Sequence, residues 1–128
     1  MNLLCTLLAI TCGTITGPAH VYDGDTLYID HQAIRLAGID AEELDEPNGY
    51  AAKAHLIILI RGRRVTCTLG GWSYQRRVGT CTAGSDNLNA RMVRDGYALD
   101  CAYYSKGIYA TLEPSGVRFK LKQKGYCR

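Results

Sequence analysis

The period of apolar and polar positions changes several times along the chain, and the changes mark out its elements. From Thr14 to Tyr22 the residues are small or β-branched around Gly17-Pro18, as in an edge strand or its lead-in. Asp23-Gly24-Asp25 predicts a turn and Thr26-Leu27-Tyr28-Ile29 a returning strand. After the tight turn Asp30-His31-Gln32, a third strand runs from Ala33 to Ile39 with Ile34, Leu36 and Gly38 on one face, and the alternation puts Arg35 on the other. Beyond the polar loop Leu44 to Gly49, Ala51, Ala54, Leu56, Ile57, Ile58 and Ile60 form an apolar stripe that predicts a helix over Tyr50 to Arg61, capped by Asn48 and ended by Gly62.

Two further strands are expected, Val65 to Leu69 and Arg77 to Thr82, joined by a long loop from Gly70 to Arg76. Asp86 or Ser85 caps a second helix that buries Leu88, Met92 and Val93 and stops at Gly96. Tyr97 to Arg128 shows no sustained period and reads as a strand remnant, a loop and a short helix. Five short strands with a helix after the third predict an α+β domain, a five-stranded OB-type β-barrel with two to three packed α-helices.

Composition narrows this little. A chain of 128 residues, 47% hydrophobic and 21% charged, suits one globular domain, and a net charge of +3 falls short of the excess of a dedicated nucleic-acid-binding surface. Residues 1–22 hold no Asp, Glu, Lys or Arg, and the run Leu3 to Ile10 is shorter than the roughly 20 residues that cross a bilayer. An export signal is expected over 1–13 and a single domain over 14–128, giving a secreted or periplasmic protein with no stable membrane association and a monomeric state. That leaves Cys67, Cys81, Cys101 and Cys127, an even set that suggests two disulfides. Cys67 and Cys81 lie on neighbouring strand runs and Cys127 in a tail that needs tying down near Cys101, while three pairings remain open. No CxxC spacing supports zinc.

The chemistry concentrates between Val21 and Glu43, which hold Asp23, Asp25, Asp40, Glu42, Glu43 and Arg35. Phosphodiester hydrolysis needs hard oxygen ligands for a cation, a base for water and positive groups on the phosphate. Asp25, Asp40 and the backbone carbonyl of Ala41 offer the first, Glu43 the second, and Arg35 with an arginine of the Tyr74-Gln75-Arg76-Arg77 loop the third. Singly, each part has a plain alternative: Asp-Gly is a common turn dipeptide, and the acids around Glu43 suit a helix-entry loop.

DGDT, IRLAGIDAEE, YQRRVGTC and DNLNARMVRDGYAL, in that order, resemble the thermonuclease (staphylococcal-nuclease-like) family from about Gly17 to Tyr104. The resemblance implies an OB-type barrel and calcium-dependent cleavage of DNA and RNA, with nucleic acid as the partner. It implies Asp25, Asp40 and the Ala41 carbonyl as Ca2+ ligands, Glu43 as general base, Arg35 and Arg76 as phosphate arginines, and Tyr74 as a pocket tyrosine. Three departures stand out. The family's Asp-(Thr/Ala)-Pro-Glu is here Asp40-Ala41-Glu42-Glu43, which puts Glu42 beside the base. Tyr-Gly-Arg is Tyr74-Gln75-Arg76, which leaves Arg77 as a rival. The chain after Tyr104 is shorter and less similar. A catalytically inactive OB-type module that binds nucleic acid or protein is the alternative these departures suggest.

Overall fold

The computed structural model describes residues 13–128, so the expected export signal over 1–13 lies almost wholly outside them. Pro18 divides the first predicted run into β1 (Gly13–Gly17) and β2 (His20–Asp23). There follow β3 (Thr26–Ile29), β4 (Gln32–Leu36), β5 (Ile39–Asp40), helix α1 (Gly49–Ile60), β6 (Val65–Ser73), β7 (Arg76–Ala83) and β8 (Asp86–Asn87). The chain ends with α2 (Leu88–Arg94), β9 (Leu99–Asp100), α3 (Ala102–Ser105) and α4 (Val117–Lys120), with 3-10 turns at Ala110–Leu112 and Gly125–Cys127.

One sheet runs in the order β1-β6-β7-β4-β3-β2, with β8 on β7, and β5 pairs separately with β9. Every pairing is antiparallel except β4 with β7. The sheet curls on itself as an OB-type barrel does: a Cβ added at Gly17, at the end of β1, would lie 3.0 Å from Ile29 of β3. Its inner face carries Leu27, Ile29, Ile34, Leu36, Val65, Cys67 and Cys81, packed against Ala52, Leu56 and Ile60 of α1 and Leu88, Met92 and Val93 of α2. Burial of this contiguous apolar surface is the main stabilising term.

Several sequence expectations change in the structure. The third strand breaks after Leu36 because Gly38 turns the chain at a φ of 75°, leaving Ile39 and Asp40 to pair with β9. The long loop from Gly70 to Arg76 is instead a continuation of β6, with a bulge between Leu69 and Trp72 that Gly70-Gly71 accommodates, closed by a two-residue turn at Tyr74-Gln75. Asn87, not Asp86 or Ser85, caps α2, its side chain accepting from the Ala90 amide at 3.0 Å. Asn48 precedes α1 without capping it through its side chain, which turns to Glu42. Ile57 and Ile58, counted in the apolar stripe of α1, are both about half exposed.

Cys67 and Cys81 face each other across β6 and β7 and are joined by a disulfide, as are Cys101 and Cys127. Two disulfides fit an oxidising, non-cytoplasmic compartment. Among the described residues no helix is long and apolar enough to cross a membrane.

Candidate active site

The turn between β2 and β3 builds the centre of the site. Asp23 accepts the Asp25 amide at 3.1 Å, an Asx-type turn that aims the Asp25 carboxylate across the sheet. There Oδ2 accepts the Ala41 amide at 2.9 Å and meets the Arg35 guanidinium at 3.3 Å. Arg35 stands opposite Thr26 in the β3–β4 register, on the face its alternation with Ile34 and Leu36 requires. Its guanidinium also donates to the Leu36 carbonyl at 2.7 Å and lies close to the Tyr126 side chain.

Burial pushes the Asp25 pKa up to about 6; the Arg35 charge opposes this and Asp23 adds to it. Burial works against the charge on Arg35 as well, but Asp25 and Tyr126 outweigh it and hold the guanidinium above its ordinary pKa.

Asp40 ends β5, almost fully buried, and the C-terminal tail reaches it. The Lys124 amide donates to Asp40 Oδ2 at 2.8 Å, and the Lys124 ammonium faces Oδ1 at 3.5 Å. Oδ1 is buried without a hydrogen-bond donor. The same ammonium lies 3.3 Å from the Ala41 carbonyl, 3.0 Å from Glu46 Oε1 and 3.8 Å from Glu43 Oε1. Burial raises the Asp40 pKa, and the lysine's amide and charge only partly oppose it. Loss of solvent is the largest single influence on Lys124 and lowers its pKa, but the contacts with Glu46, Asp40 and Glu43 together outweigh it and move the pKa up.

Glu43 and Glu42 part company. The Glu43 side chain is 53% exposed at the lip of the site, above the buried acids. Its backbone is fixed: its amide donates to Glu46 Oε1 at 2.7 Å and its carbonyl accepts the Glu46 amide at 2.9 Å. Glu42 points inward and accepts the Asn48 amide at 3.0 Å, the Asn48 side chain at 2.8 Å and the Lys122 amide at 3.0 Å. Burial works to raise its pKa, but these three donors outweigh it and hold the carboxyl below its usual range. Glu42 is thereby a brace between the loop and the tail.

The two loop arginines also separate. Arg76 donates to the Thr26 hydroxyl at 3.1 Å and approaches Ser73 Oγ at 3.4 Å, which brings it beside the Asp25–Arg35 pair. Arg77 points to the other face, donates to the Gly70 carbonyl at 2.9 Å and lies over the Trp72 ring at 5.0 Å. Tyr74, at the hairpin tip with a φ of 58°, is 94% exposed. A cavity of about 580 Å³ opens beside the acid cluster, lined by Arg35, Trp72, Tyr74, Arg76, Tyr104 and Tyr126.

The expected residues Asp25, Arg35, Asp40, Ala41 and Glu43 thus meet at one rim, with Arg76 joining through Thr26 and Tyr74 standing at the edge of the cavity. Sequence reasoning did not place Lys124, Tyr126 or Glu46 there. The one signal toward the tail was Cys127, whose bond to Cys101 fixes the last turn beside β9.

The calcium expectation can be tested on these oxygens. Calcium takes six to eight oxygens at about 2.3–2.6 Å. An ion on the Ala41 carbonyl would lie no more than about 6 Å from the Lys124 ammonium, which itself stands 3.3 Å from that oxygen. The Asp25 oxygen nearest Ala41 is engaged by an amide and a guanidinium. With Lys124 in this position the donor set does not fit a calcium ion.

Fold and site together define a small OB-type barrel that gathers acids and arginines at one rim, beside an aromatic-lined cavity. The chain belongs to the staphylococcal nuclease homologue family, whose model matches residues 33–123. It is also 33% identical over 124 residues to the succinoglycan biosynthesis protein ExoI of Rhizobium meliloti (strain 1021), covering 87% of this chain and 65% of that protein. The chain therefore spans just under two thirds of that relative's length. Asp25 lies ahead of the family match and Lys124 directly after it.

Proposed function

We propose that the chain is an exported nuclease that hydrolyses phosphodiester bonds of DNA or RNA with little sequence preference. The observation that carries the proposal is the convergence of Arg35 and Arg76 on one cavity that also presents Tyr74, Tyr104 and Tyr126. Two guanidiniums suit the non-bridging oxygens of a phosphate, and exposed aromatic rings suit stacked bases; neither reads base identity.

In this reading the phosphate sits between Arg35 and Arg76. Asp25 and the Leu36 carbonyl hold Arg35 in place, and Thr26 and Ser73 hold Arg76. Neither arginine has to be immobilised at the moment of reaction, which is the advantage of preorganised charge. Glu43, exposed at the lip, takes a proton from water as the water oxygen bonds to phosphorus. The ester P–O bond breaks, and the leaving oxygen takes a proton from solvent. The resemblance implies calcium held by Asp25, Asp40 and the Ala41 carbonyl, but no step is assigned to it because those donors are engaged by the chain itself.

Incubation of the purified protein with single-stranded DNA, duplex DNA and RNA, with calcium, magnesium or a chelator, tests the proposal. Release of acid-soluble nucleotides by the wild type, lost in Arg76→Ala, is expected. Retention of nucleic acid with no cleavage under any condition sinks the nuclease reading in favour of a binding module.

A further inference from the structure

We propose that the Lys124 ammonium is the resident cation of the acid cluster, standing where a divalent ion would otherwise be held, so that the chain carries this positive charge covalently. Four acceptor oxygens from the end of β5 and the loop that follows it surround Nζ: Glu46 Oε1 at 3.0 Å, the Ala41 carbonyl at 3.3 Å, Asp40 Oδ1 at 3.5 Å and Glu43 Oε1 at 3.8 Å. Asp40 Oδ1, buried and without a hydrogen-bond donor, has this ammonium as its facing charge. A buried carboxylate in that state needs a cation close by, and the tail brings one.

The placement of Lys124 is built into the fold. Lys122 donates its amide to Glu42 and Lys124 donates its amide to Asp40, so the tail runs alongside residues 40–42 with two amide–carboxylate contacts. Gln123 between them donates to the Asp100 carbonyl at 2.7 Å and accepts from Arg118 at 2.9 Å. Cys127 is bonded to Cys101 three residues further on. Each of residues 122, 123 and 124 is therefore fixed independently, and the lysine side chain, only 21% exposed, starts from an anchored backbone. A flexible surface lysine attracted to nearby acids would not have its own amide on the carboxylate that its ammonium serves.

An ammonium differs from a calcium ion in ways that matter. It carries one charge instead of two and only donates hydrogen bonds, so it orders Asp40, Glu46 and the Ala41 carbonyl but is no Lewis acid that would lower the pKa of a bound water. Lys124 is thus a positioning residue: it holds the loop that carries Glu43 and offsets the acids near the phosphate. Its consequence for turnover rests on the nuclease reading, whereas its occupancy of the cation position does not.

Calorimetric titration of the full chain with calcium chloride, alongside thermal unfolding with and without calcium, separates the possibilities. Wild type is expected to give no saturable calcium heat and no calcium-dependent rise in Tm. Lys124→Met, which keeps the aliphatic stem and removes the charge, is expected to bind calcium with a Kd of roughly 10⁻⁴–10⁻³ M, as weaker all-oxygen sites do, and to gain Tm on binding. Wild-type cleavage, where present, is unchanged by chelator, while cleavage by Lys124→Met becomes calcium-dependent. Saturable calcium binding by wild type overturns the inference, as does a folded Lys124→Met that binds none. Should Lys124→Met fail to fold, Lys124→Arg keeps the charge, and calcium binding by that variant or by wild type is equally fatal. Calorimetry needs no turnover, so a protein that cleaves nothing sinks the nuclease reading and leaves this inference to its own result.

Discussion

Lys124 touches both oxygens of Asp40, its amide on Oδ2 at 2.8 Å and its ammonium facing Oδ1 at 3.5 Å, across 84 residues of chain. Asp40 ends the short strand that pairs with β9, and β9 leads directly into Cys101, the partner of Cys127. The strand pair, the disulfide and the ion pair therefore close one ring around the acid cluster. Opening the ring at its covalent link should loosen the cluster. Cys101 and Cys127 are 26 residues apart, and the double variant Cys101→Ser/Cys127→Ser should lose roughly 3 kcal/mol in denaturant unfolding. An unchanged unfolding midpoint would show that the tail is held by its other contacts alone.

Asp25 predicts a pH dependence of definite sign. Its folded pKa of about 6 lies above the ordinary 3.8, so the folded chain binds this proton more tightly than the unfolded chain. The group therefore costs stability above pH 6, and the cost is relieved as pH falls toward 4. Asp25→Asn removes the buried charge and should be close to wild type at pH 4 but more stable at pH 7. Thermal unfolding of both proteins from pH 4 to 7 checks this. The opposite trend would mean that the pairing with Arg35 dominates the burial.

Adjacent acids should fail in different ways. Glu42 accepts three N–H donors, and Glu42→Gln turns an amide group toward some of them, which should cost roughly 2–3 kcal/mol of stability. Glu43→Gln alters an exposed side chain, should change stability by less than about 0.5 kcal/mol, and should lower turnover by roughly 10²–10⁴. Unfolding curves and initial cleavage rates on both variants separate brace from base; full turnover in Glu43→Gln would remove it from the mechanism.

How far the sequence carried this picture depends on the range of each contact. Local alternation was enough to put Arg35 opposite Ile34 and Leu36, and the hairpin turn was enough to aim Asp25. The apolar stripe predicted α1 to within a residue at each end. Gly70-Gly71 misled because two glycines read as a break where the strand only bulges, and nothing local says that Arg77 will lie over Trp72. Lys124 was invisible for a different reason. It belongs to a basic finish with Lys120, Lys122 and Arg128, and only a contact 84 residues away distinguishes it from them.

Arg76 and Arg77 offer a matched pair in the same hairpin. Arg76 faces the cavity and Arg77 lies buried on the opposite face. Arg76→Ala should reduce turnover by roughly 10²–10³, the usual effect of removing one donor to developing phosphate charge, with little change in Tm. Arg77→Ala should lose about 1–3 kcal/mol through its bond to Gly70 and its contact with Trp72, and keep its turnover at temperatures where it is folded. Steady-state rates and melting curves on the two variants decide between them; equal losses of turnover would mean that both arginines serve the phosphate.

Glu43 is held at the lip by a close approach that only glycine permits. A Cβ added at Gly49 would stand 1.9 Å from the Glu43 carbonyl oxygen and 2.8 Å from the Leu44 Cα, both backbone atoms that cannot swing away. Gly49 also opens α1 and donates its amide to the Glu46 carbonyl at 3.1 Å, so the loop cannot shift without unwinding the first turn of the helix. Gly49→Ala should therefore cost about 3 kcal/mol or more, at the upper end of overpacking, and should displace Glu43 and Glu46 together. Gly71→Ala, where an added Cβ meets nothing within 4 Å, is the control and should stay within about 0.5 kcal/mol of wild type. Chemical denaturation of both variants measures the difference. Because Glu46 also holds the Lys124 ammonium, calcium titration of folded Gly49→Ala gives a second readout: a displaced loop should weaken the lysine's hold on the cation position, and a variant as stable as Gly71→Ala would show that the loop is not confined as the close approach requires.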